Sequence, residues 1–129
     1  MVRFDIPTHT RDQFVNITAQ VQQAVQKLGI ADGIVTVFVP HTTCGLTINE
    51  NADPDVVADM LKQLDLMVPH SQPFYKHAEG NSAAHLKTSL IGNSVQVPVV
   101  CGHIELGMWQ GIYLCEFDGP RSRCVWVQG

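Results

Sequence analysis

The chain from Val95 onward constrains the fold most, because it holds three β segments and no helical pattern. Apolar, β-branched and aromatic residues fill positions 95–100, 111–117 and 123–127, and glycine-containing turns separate these segments. Two earlier segments, 2–6 and 34–39, have the same character, and 45–49 continues the sheet. Short strands joined in this way predict mostly antiparallel sheets.

Helical patterns lie only before Val95. Thr10 and Gln13 stand at capping-box spacing before an apolar repeat that runs from Phe14 to Leu28, and Gly29 is a suitable stop. Asp53 begins a second helix as its N-cap, with Pro54 at the first helical position. The apolar stripe of this helix comprises Val57, Met60, Leu61 and Leu64.

The third helix is predicted to begin near Asn81 or Ser82 and to end near Leu90, before a Gly-Asn pair. Helical spacing places Ala83, Leu86 and Leu90 on one face, the expected core stripe, and Ser82, His85 and Ser89 on another. Two or three helices combined with mostly antiparallel sheets make an α+β domain.

Composition limits the possible partners and the size of the domain. The 129 residues, 45% of them hydrophobic, fit a single domain over residues 1–129. With 8 Lys and Arg against 12 Asp and Glu, the net charge of -4 excludes a general attraction to nucleic acid or anionic lipid. No apolar run resembles a signal peptide or a bilayer span, and the four cysteines form no CxxC pair. We therefore expect a cytoplasmic protein with free thiols, no nucleic-acid partner and no membrane association.

Residues 77–85 hold the strongest candidate site, because two histidines flank a helix start among small residues. A turn at Gly80 would fold His77 back beside His85. His41 follows a strongly apolar strand, which would hold it rigidly. The three histidines together predict a site for a divalent metal, zinc or magnesium, with open coordination positions. A purely structural role for each histidine is the alternative.

Three further sets of polar residues each have a structural alternative. Asn49, Glu50 and Asp53 suit turn and capping chemistry, although a carboxylate such as Glu50 could also orient imidazoles, act as a base or bind a cation. If both lie in a strand, Arg121 and Arg123 would share a face and could clamp a phosphate. The structural alternative for both arginines is an ion pair with Asp118 or Glu116. Trp109 could stack on a ligand ring, and its structural alternative is packing in the core or in an interface.

These motifs together resemble one family. They are His41-Thr42-Thr43, Asn49-Glu50 with Asp53, the segment from His77 through Asn81 to His85, Gly107 to Gln110, and Phe117 to Arg121 followed by Arg123. The chain resembles the YjbQ family, also called UPF0047, whose members are labelled secondary thiamine-phosphate synthase. The resemblance covers nearly the whole chain. It implies a YjbQ-like α+β fold that forms a compact homotrimer, with sites near the subunit interfaces.

The resemblance also implies an activity, the joining of hydroxymethylpyrimidine diphosphate to thiazole phosphate with release of pyrophosphate. The expected catalytic residues are His41, Glu50, Asp53 and His85, and the expected metal ligands are His41, His77 and His85. The expected substrate-binding residues are Asn49, Asn81, Trp109, Gln110, Arg121 and Arg123. Two alternatives stay open: a metal-dependent hydrolase, since histidines and a carboxylate can also activate water, and a non-enzymatic trimer that binds a metal or an anion.

Overall fold

Eight strands and three helices make up the computed structural model, which describes residues 1–129. In chain order they are β1 (Val2–Pro7), β2 (Gln13–Asn16), α1 (Thr18–Leu28), β3 (Gly33–Phe38), β4 (Cys44–Glu50), α2 (Pro54–Met67), α3 (Ser82–Ile91), β5 (Ser94–Val100), β6 (His103–Ile104), β7 (Gln110–Glu116) and β8 (Ser122–Gln128). One sheet has the order β1-β8-β3-β5-β6 and the other β2-β7-β4. Every strand pair is antiparallel, which confirms the predicted α+β class.

The main core is formed by apolar residues of both sheets and of α1. Alternate residues of the central strands point inward, as shown by the fully buried Val35 and Val37 of β3 and Val97 and Val99 of β5. Helix α1 adds Val21 and Val25, and the three-stranded sheet adds residues such as Leu46 and Leu114. No helix is long and apolar enough to span a membrane.

The predicted start of the first helix is wrong. Phe14 and Val15 lie in β2, where they pair with Cys115 and Leu114 of β7, and α1 begins only at Thr18. Pairing with β7 gives Phe14 aromatic contacts to the rings of Tyr113 and Phe117. These tertiary contacts outweigh the local helical pattern. The stop at Gly29 is confirmed, since this residue is the C-cap with a φ of 69°.

The second helix begins as predicted. Asp53 is the N-cap of α2, its carboxylate accepts a hydrogen bond of 2.9 Å from the amide of Asp55, and Pro54 follows as the first helical residue. Of the predicted apolar stripe, only Leu64 is buried in the core, while Val57, Met60 and Leu61 are partly exposed. Helix α2 therefore lies over the edge of the core.

The predicted core face of α3 is correct at Ala83 but wrong at Leu86 and Leu90. The helix buries Ala83, Ala84, Lys87 and Thr88, whereas Leu86 and Leu90 are 47% and 61% exposed. Its C-terminal end closely approaches β4, where a Cβ on Gly45 would lie 2.6 Å from the carbonyl oxygen of Gly92. Gly45 therefore has no room for a side chain, and α3 packs through the face that holds its two alanines while the leucines face outward.

The amine of Lys87 is buried and held by two carboxylates. It lies 2.7 Å from Asp12 and 2.6 Å from Asp65, and the hydrogen bond from Lys87 lowers the pKa of Asp65. The pair of contacts connects α3 to α2 and to the loop before β2. A lysine can be buried in this way because its charge is neutralised and its donors are used.

Candidate functional site

His77 and His85 contact each other and both line a hollow beside the start of α3. Gly80 has a φ of 71° and its amide donates to the carbonyl of His77, which forms the predicted turn. The two imidazole rings meet edge to face with centroids 5.5 Å apart. The hollow has a volume of about 640 Å³ and is lined by Phe74, Tyr75, Lys76, His77, Ser82, His85 and Leu86.

A second cavity begins on the other side of His85. It is a groove of about 500 Å³ between His41 and the C-terminal half of α3, and none of its lining residues is hydrophobic. The lining comprises His41, Thr42, His85, Thr88, Ser89, Gly92 and Asn93. Because His85 lines both cavities, the hollow and the groove are neighbouring parts of one candidate site along α3.

The ring of His41 is fixed by the backbone of β8. The amide of Cys124 donates a hydrogen bond of 2.9 Å to Nε2 of His41, so Nε2 carries a lone pair. Burial and the nearby guanidinium of Arg123 both lower the pKa of His41 below its ordinary value. The imidazole is therefore neutral near pH 7 and carries its single proton on Nδ1.

The structure argues against His41 as a metal ligand. Nε2 already accepts from Cys124, and coordination through Nδ1 would move the ring proton to Nε2, where it would oppose the Cys124 amide. No group of three or more His, Cys, Asp or Glu side chains is placed to hold a metal ion. The chain thus brings His77 and His85 together but does not assemble the expected three-histidine ligand set.

Arg123 serves a buried ion pair and is not free for phosphate. Its Nε donates to Glu116 at 2.8 Å, and Nη2 donates both to the other oxygen of Glu116 and to the hydroxyl of Thr43. The side chain of Glu116 is fully buried. Although burial pushes the pKa of Glu116 upward, hydrogen bonds from Arg123, the Asp118 amide and Thr8 outweigh it and lower the pKa.

Arg121 precedes β8, so the condition for a paired arginine clamp is not met. Its half-exposed guanidinium lies 3.0 Å from the carboxylate of Asp118, which also accepts a hydrogen bond of 2.8 Å from Asn81. Asn81 is the N-cap residue of α3, but its side chain does not cap the helix. The contacts through Asp118 therefore connect Arg121 to the beginning of α3, beside the hollow.

The remaining predicted site residues lie at the opposite end of the three-stranded sheet. Asn49 and Glu50 end β4, opposite Gly111 and Gln110 of β7, whereas Cys44 at the other end of β4 adjoins the His41 segment. A seven-residue strand spans about 20 Å. Within one chain, Asn49, Glu50, Asp53, Trp109 and Gln110 are therefore separate from the three histidines.

These residues make local contacts at their own end. The carboxylate of Glu50 accepts from the Ala52 amide, and the side-chain oxygen of Gln110 accepts from the Gly107 amide. Asp53 caps α2, which confirms the structural alternative for this residue. Trp109 is 59% exposed and Met108 84% exposed, so neither packs in the core of the chain.

Sequence reasoning missed Thr88 and assigned Glu116 only as a possible partner of an arginine. Thr88 lines the groove, and its buried hydroxyl has no hydrogen-bond partner. The sequence cannot indicate that a helical threonine has a buried hydroxyl, because its burial depends on how the helix packs against the sheet. Strand β7 buries every residue from Gly111 to Glu116, so no inward–outward alternation in the sequence marks Glu116 as buried.

The four cysteines are free and differ in exposure. Cys44 and Cys115 are buried, Cys124 is partly buried and Cys101 is exposed. Burial raises the pKa of the Cys44 thiol to about 12 and raises that of Cys115 as well. The two buried thiols are therefore protonated and behave as small apolar side chains.

Comparison with known proteins identifies the family. The family described as UPF0047 protein YjbQ-like matches residues 2–129. The UPF0047 protein YugU of Bacillus subtilis is 49% identical over 95% of this chain and 93% of its own, and a UPF0047 protein of Methanocaldococcus jannaschii is 44% identical over 99% of this chain and 92% of its own.

Two crystal structures have the same fold. An uncharacterized YjbQ/UPF0047 family protein from Clostridium acetobutylicum is 52% identical and gives a TM-score of 0.95, with 99% of this chain and 98% of that chain covered. A conserved hypothetical protein from Thermus thermophilus is 47% identical and gives a TM-score of 0.93 over the same shares. The chain therefore belongs to the YjbQ/UPF0047 family.

Proposed function

We propose that this protein is a small-molecule transferase of the secondary thiamine-phosphate synthase type. It would join hydroxymethylpyrimidine diphosphate to thiazole phosphate and release pyrophosphate. The observation that carries the proposal is the pair of neighbouring cavities along α3, in which His85 lies between a hollow that contains Lys76 and a groove lined only by polar residues and glycine. Such a site offers different surroundings to the charged and the uncharged ends of an elongated substrate.

The chemistry of this reaction suits the side chains present. The C–O bond to the diphosphate breaks, the thiazole nitrogen supplies the electron pair for the new C–N bond, and pyrophosphate carries away the negative charge. Because the attacking nitrogen already has a free electron pair, the reaction needs positioning and charge stabilisation more than a base. We assign the stabilisation of pyrophosphate to Lys76, His77 and His85, with Arg121 close to the same helix end.

A divalent cation, zinc or magnesium, stays a proposal that is limited to His77 and His85. The three-histidine set does not fit, because His41 uses Nε2 to accept from the backbone. Two imidazoles leave coordination positions that phosphate oxygens could fill, and a bound cation would neutralise developing negative charge. The roles given above to the side chains do not depend on the cation.

A homotrimer is the proposed assembly. Exposed apolar side chains support it, since Met67, Phe74, Leu86 and Leu90 lie around the outer face of α3, and Met108 and Trp109 project from the other end of the sheet. Contiguous apolar surface of this kind is typical of interfaces. We assign Asn49, Glu50 and Gln110 to sites near the subunit contacts, while the free cysteines suit a reducing, cytoplasmic compartment.

The test is product analysis with both substrates. Formation of thiamine phosphate, detected by its fluorescent oxidation product, together with pyrophosphate release would support the synthase. Loss of product in His85→Ala, with an unchanged circular dichroism spectrum, would place His85 in the site. Hydrolysis of either substrate alone, without the coupled product, would favour the metal-dependent hydrolase instead. Thermal stabilisation by either substrate without any turnover would favour the non-enzymatic binding protein.

A further inference from the structure

Two hydrogen-bonding groups in the groove between His41 and α3 have no partner in the protein. The hydroxyl of Thr88 is buried and makes no hydrogen bond, although the usual solution for a helical threonine is to donate to the carbonyl four residues earlier. The neighbouring Ser89 does this, since its hydroxyl donates to the carbonyl of His85 at 3.0 Å. A buried hydroxyl without a partner is costly, and a ligand in the groove that Thr88 lines would supply a partner once the hydroxyl turned toward it.

His41 provides the second group. Since Nε2 accepts from the Cys124 amide, the ring proton lies on Nδ1, and Nδ1 makes no hydrogen bond within the chain. His41 lines the same groove as Thr88. The β8 backbone thus fixes the imidazole as a neutral hydrogen-bond donor, which suits recognition of a ring nitrogen or a carbonyl oxygen.

The electrostatics of the groove disfavour phosphate. Gly92 and Asn93 lie at the C-terminal end of α3, which carries a negative partial charge, and no lysine or arginine lines the groove. The two cations whose charges act on His41, Arg121 and Arg123, are paired with Asp118 and Glu116. The hollow at the other end of the helix contains Lys76 and Ser82 near the positive N-terminal end. The two cavities therefore differ in the charge that they favour.

We infer that the groove between His41 and the C-terminal half of α3 binds the uncharged heterocyclic end of the substrate. A ring nitrogen or carbonyl oxygen would accept a hydrogen bond from Nδ1 of His41, and an adjacent amino group would donate one to the hydroxyl of Thr88. An aminopyrimidine or a ring that carries a carboxamide can make both bonds. The phosphates of the substrate then face the hollow at the other end of α3. The identity of the ring rests on the proposed function, whereas the preference for an uncharged heterocycle rests on the groove alone.

The test is an NMR titration of ¹⁵N-labelled protein with three probes: hydroxymethylpyrimidine, nicotinamide and inorganic pyrophosphate. Before any probe is added, long-range ¹H–¹⁵N spectra should show Nδ1 of His41 protonated and Nε2 unprotonated. An uncharged ring should then shift the signals of Thr88, Asn93 and His41, while pyrophosphate should shift those of Lys76 and Ser82 and leave Thr88 unchanged.

Substitutions at Thr88 separate binding from stability. Thr88→Val should raise the melting temperature of the free protein, because it removes an unpaired buried hydroxyl, and should weaken binding of the uncharged ring by about tenfold. Thr88→Ser retains the hydroxyl and should retain binding. Thr36→Val is the control: it makes the same substitution in β3 of the five-stranded sheet, outside the groove, and should leave binding unchanged.

Substitutions at His41 separate its two nitrogen atoms. A glutamine amide can take the place of Nε2 and still accept from Cys124, so His41→Gln should fold normally and lose binding of the ring. An asparagine amide can take the place of Nδ1, so His41→Asn should bind more tightly than His41→Gln while melting at a lower temperature. Equal binding by both variants and the wild type would overturn the role of Nδ1.

The outcomes also distinguish the inference from the proposed function. Shifts in the groove with nicotinamide or the pyrimidine, in a protein that forms no thiamine phosphate, would support the inference and remove the proposed function. Product formation with ring-induced shifts only at Lys76 and Ser82 would retain the function and overturn the inference. Pyrophosphate shifts at Thr88, or no groove shifts with either ring at millimolar concentration, would also overturn it.

Discussion

Replacing Arg123 by methionine should destabilise this protein strongly, because the substitution leaves the carboxylate of Glu116 buried without its cation. Glu116 is fully buried, and Arg123 gives it two hydrogen bonds. Breaking a buried ion pair from one side typically costs about 3–5 kcal/mol. Glu116 keeps three other donors, namely the Thr8 hydroxyl at 2.8 Å and the amides of Phe117 and Asp118 at 3.0 Å. These donors place the expected loss near the lower limit, at about 3 kcal/mol.

The pH dependence of this loss follows from the pKa of Glu116. In the wild type the pKa is lowered, so the carboxylate contributes stability above its unfolded pKa, and this contribution is lost as the pH falls through the folded value. In Arg123→Met the uncompensated burial should raise the folded pKa above the unfolded one. Protonation then relieves the penalty, and the stability difference from wild type should narrow as the pH falls from about 7 to 5.

Urea unfolding followed by tryptophan fluorescence measures both effects. Arg121→Met is the matched control, because Arg121 forms an exposed pair with Asp118 and should contribute at most about 1 kcal/mol. If Arg123→Met does not fold at pH 7, the double variant with Glu116→Gln should recover the fold, since it removes the buried charge. A loss below about 1 kcal/mol, or a stability difference that stays constant with pH, would refute the reasoning.

Three further predictions follow from single contacts. Lys87→Met should lower the free energy of unfolding by about 2–3 kcal/mol, because it leaves the partly exposed Asp65 without its cation and Asp12 with only Arg11; an unchanged urea midpoint would contradict this. Gly45→Ala should lower the free energy of unfolding, measured with urea, by about 1–3 kcal/mol, because its Cβ would lie 2.6 Å from the carbonyl oxygen of Gly92. Elemental analysis of untagged wild type should find a stoichiometric divalent metal that both His77→Ala and His85→Ala lose at matched folded concentration; a wild type without metal after reloading would remove the cation proposal.

Local sequence signals determined the elements whose own residues decide their structure. The Asp53–Pro54 start of α2 depends on one side chain and the nearest amides, and the α1 stop depends on the left-handed conformation of Gly29. The turn at Gly80 places His77 beside His85 for the same reason. The motifs also led correctly to the YjbQ/UPF0047 family.

Tertiary structure decided the features for which local patterns had two solutions. The position of Phe14 is compatible with a helical repeat and with a strand, and pairing with β7 selected the strand. The leucine stripe of α3 looked like a core face, yet the docked helix buries its alanine face and leaves Leu86 and Leu90 outside. In both elements, packing against the three-stranded sheet outweighed the local preference.

For the candidate site, too, the sequence predicted some properties of the residues and the fold decided the others. Residue types and spacing identified the histidines and the arginines, but only the fold shows that Arg123 faces Glu116 inside the protein while Arg121 stays at the surface. The role of His41 likewise depends on an amide 83 residues away, that of Cys124, which fixes the ring proton on Nδ1. A sequence specifies which side chains can donate, accept or carry charge, whereas their partners are set by contacts between segments far apart in the chain, and those contacts exist only after folding.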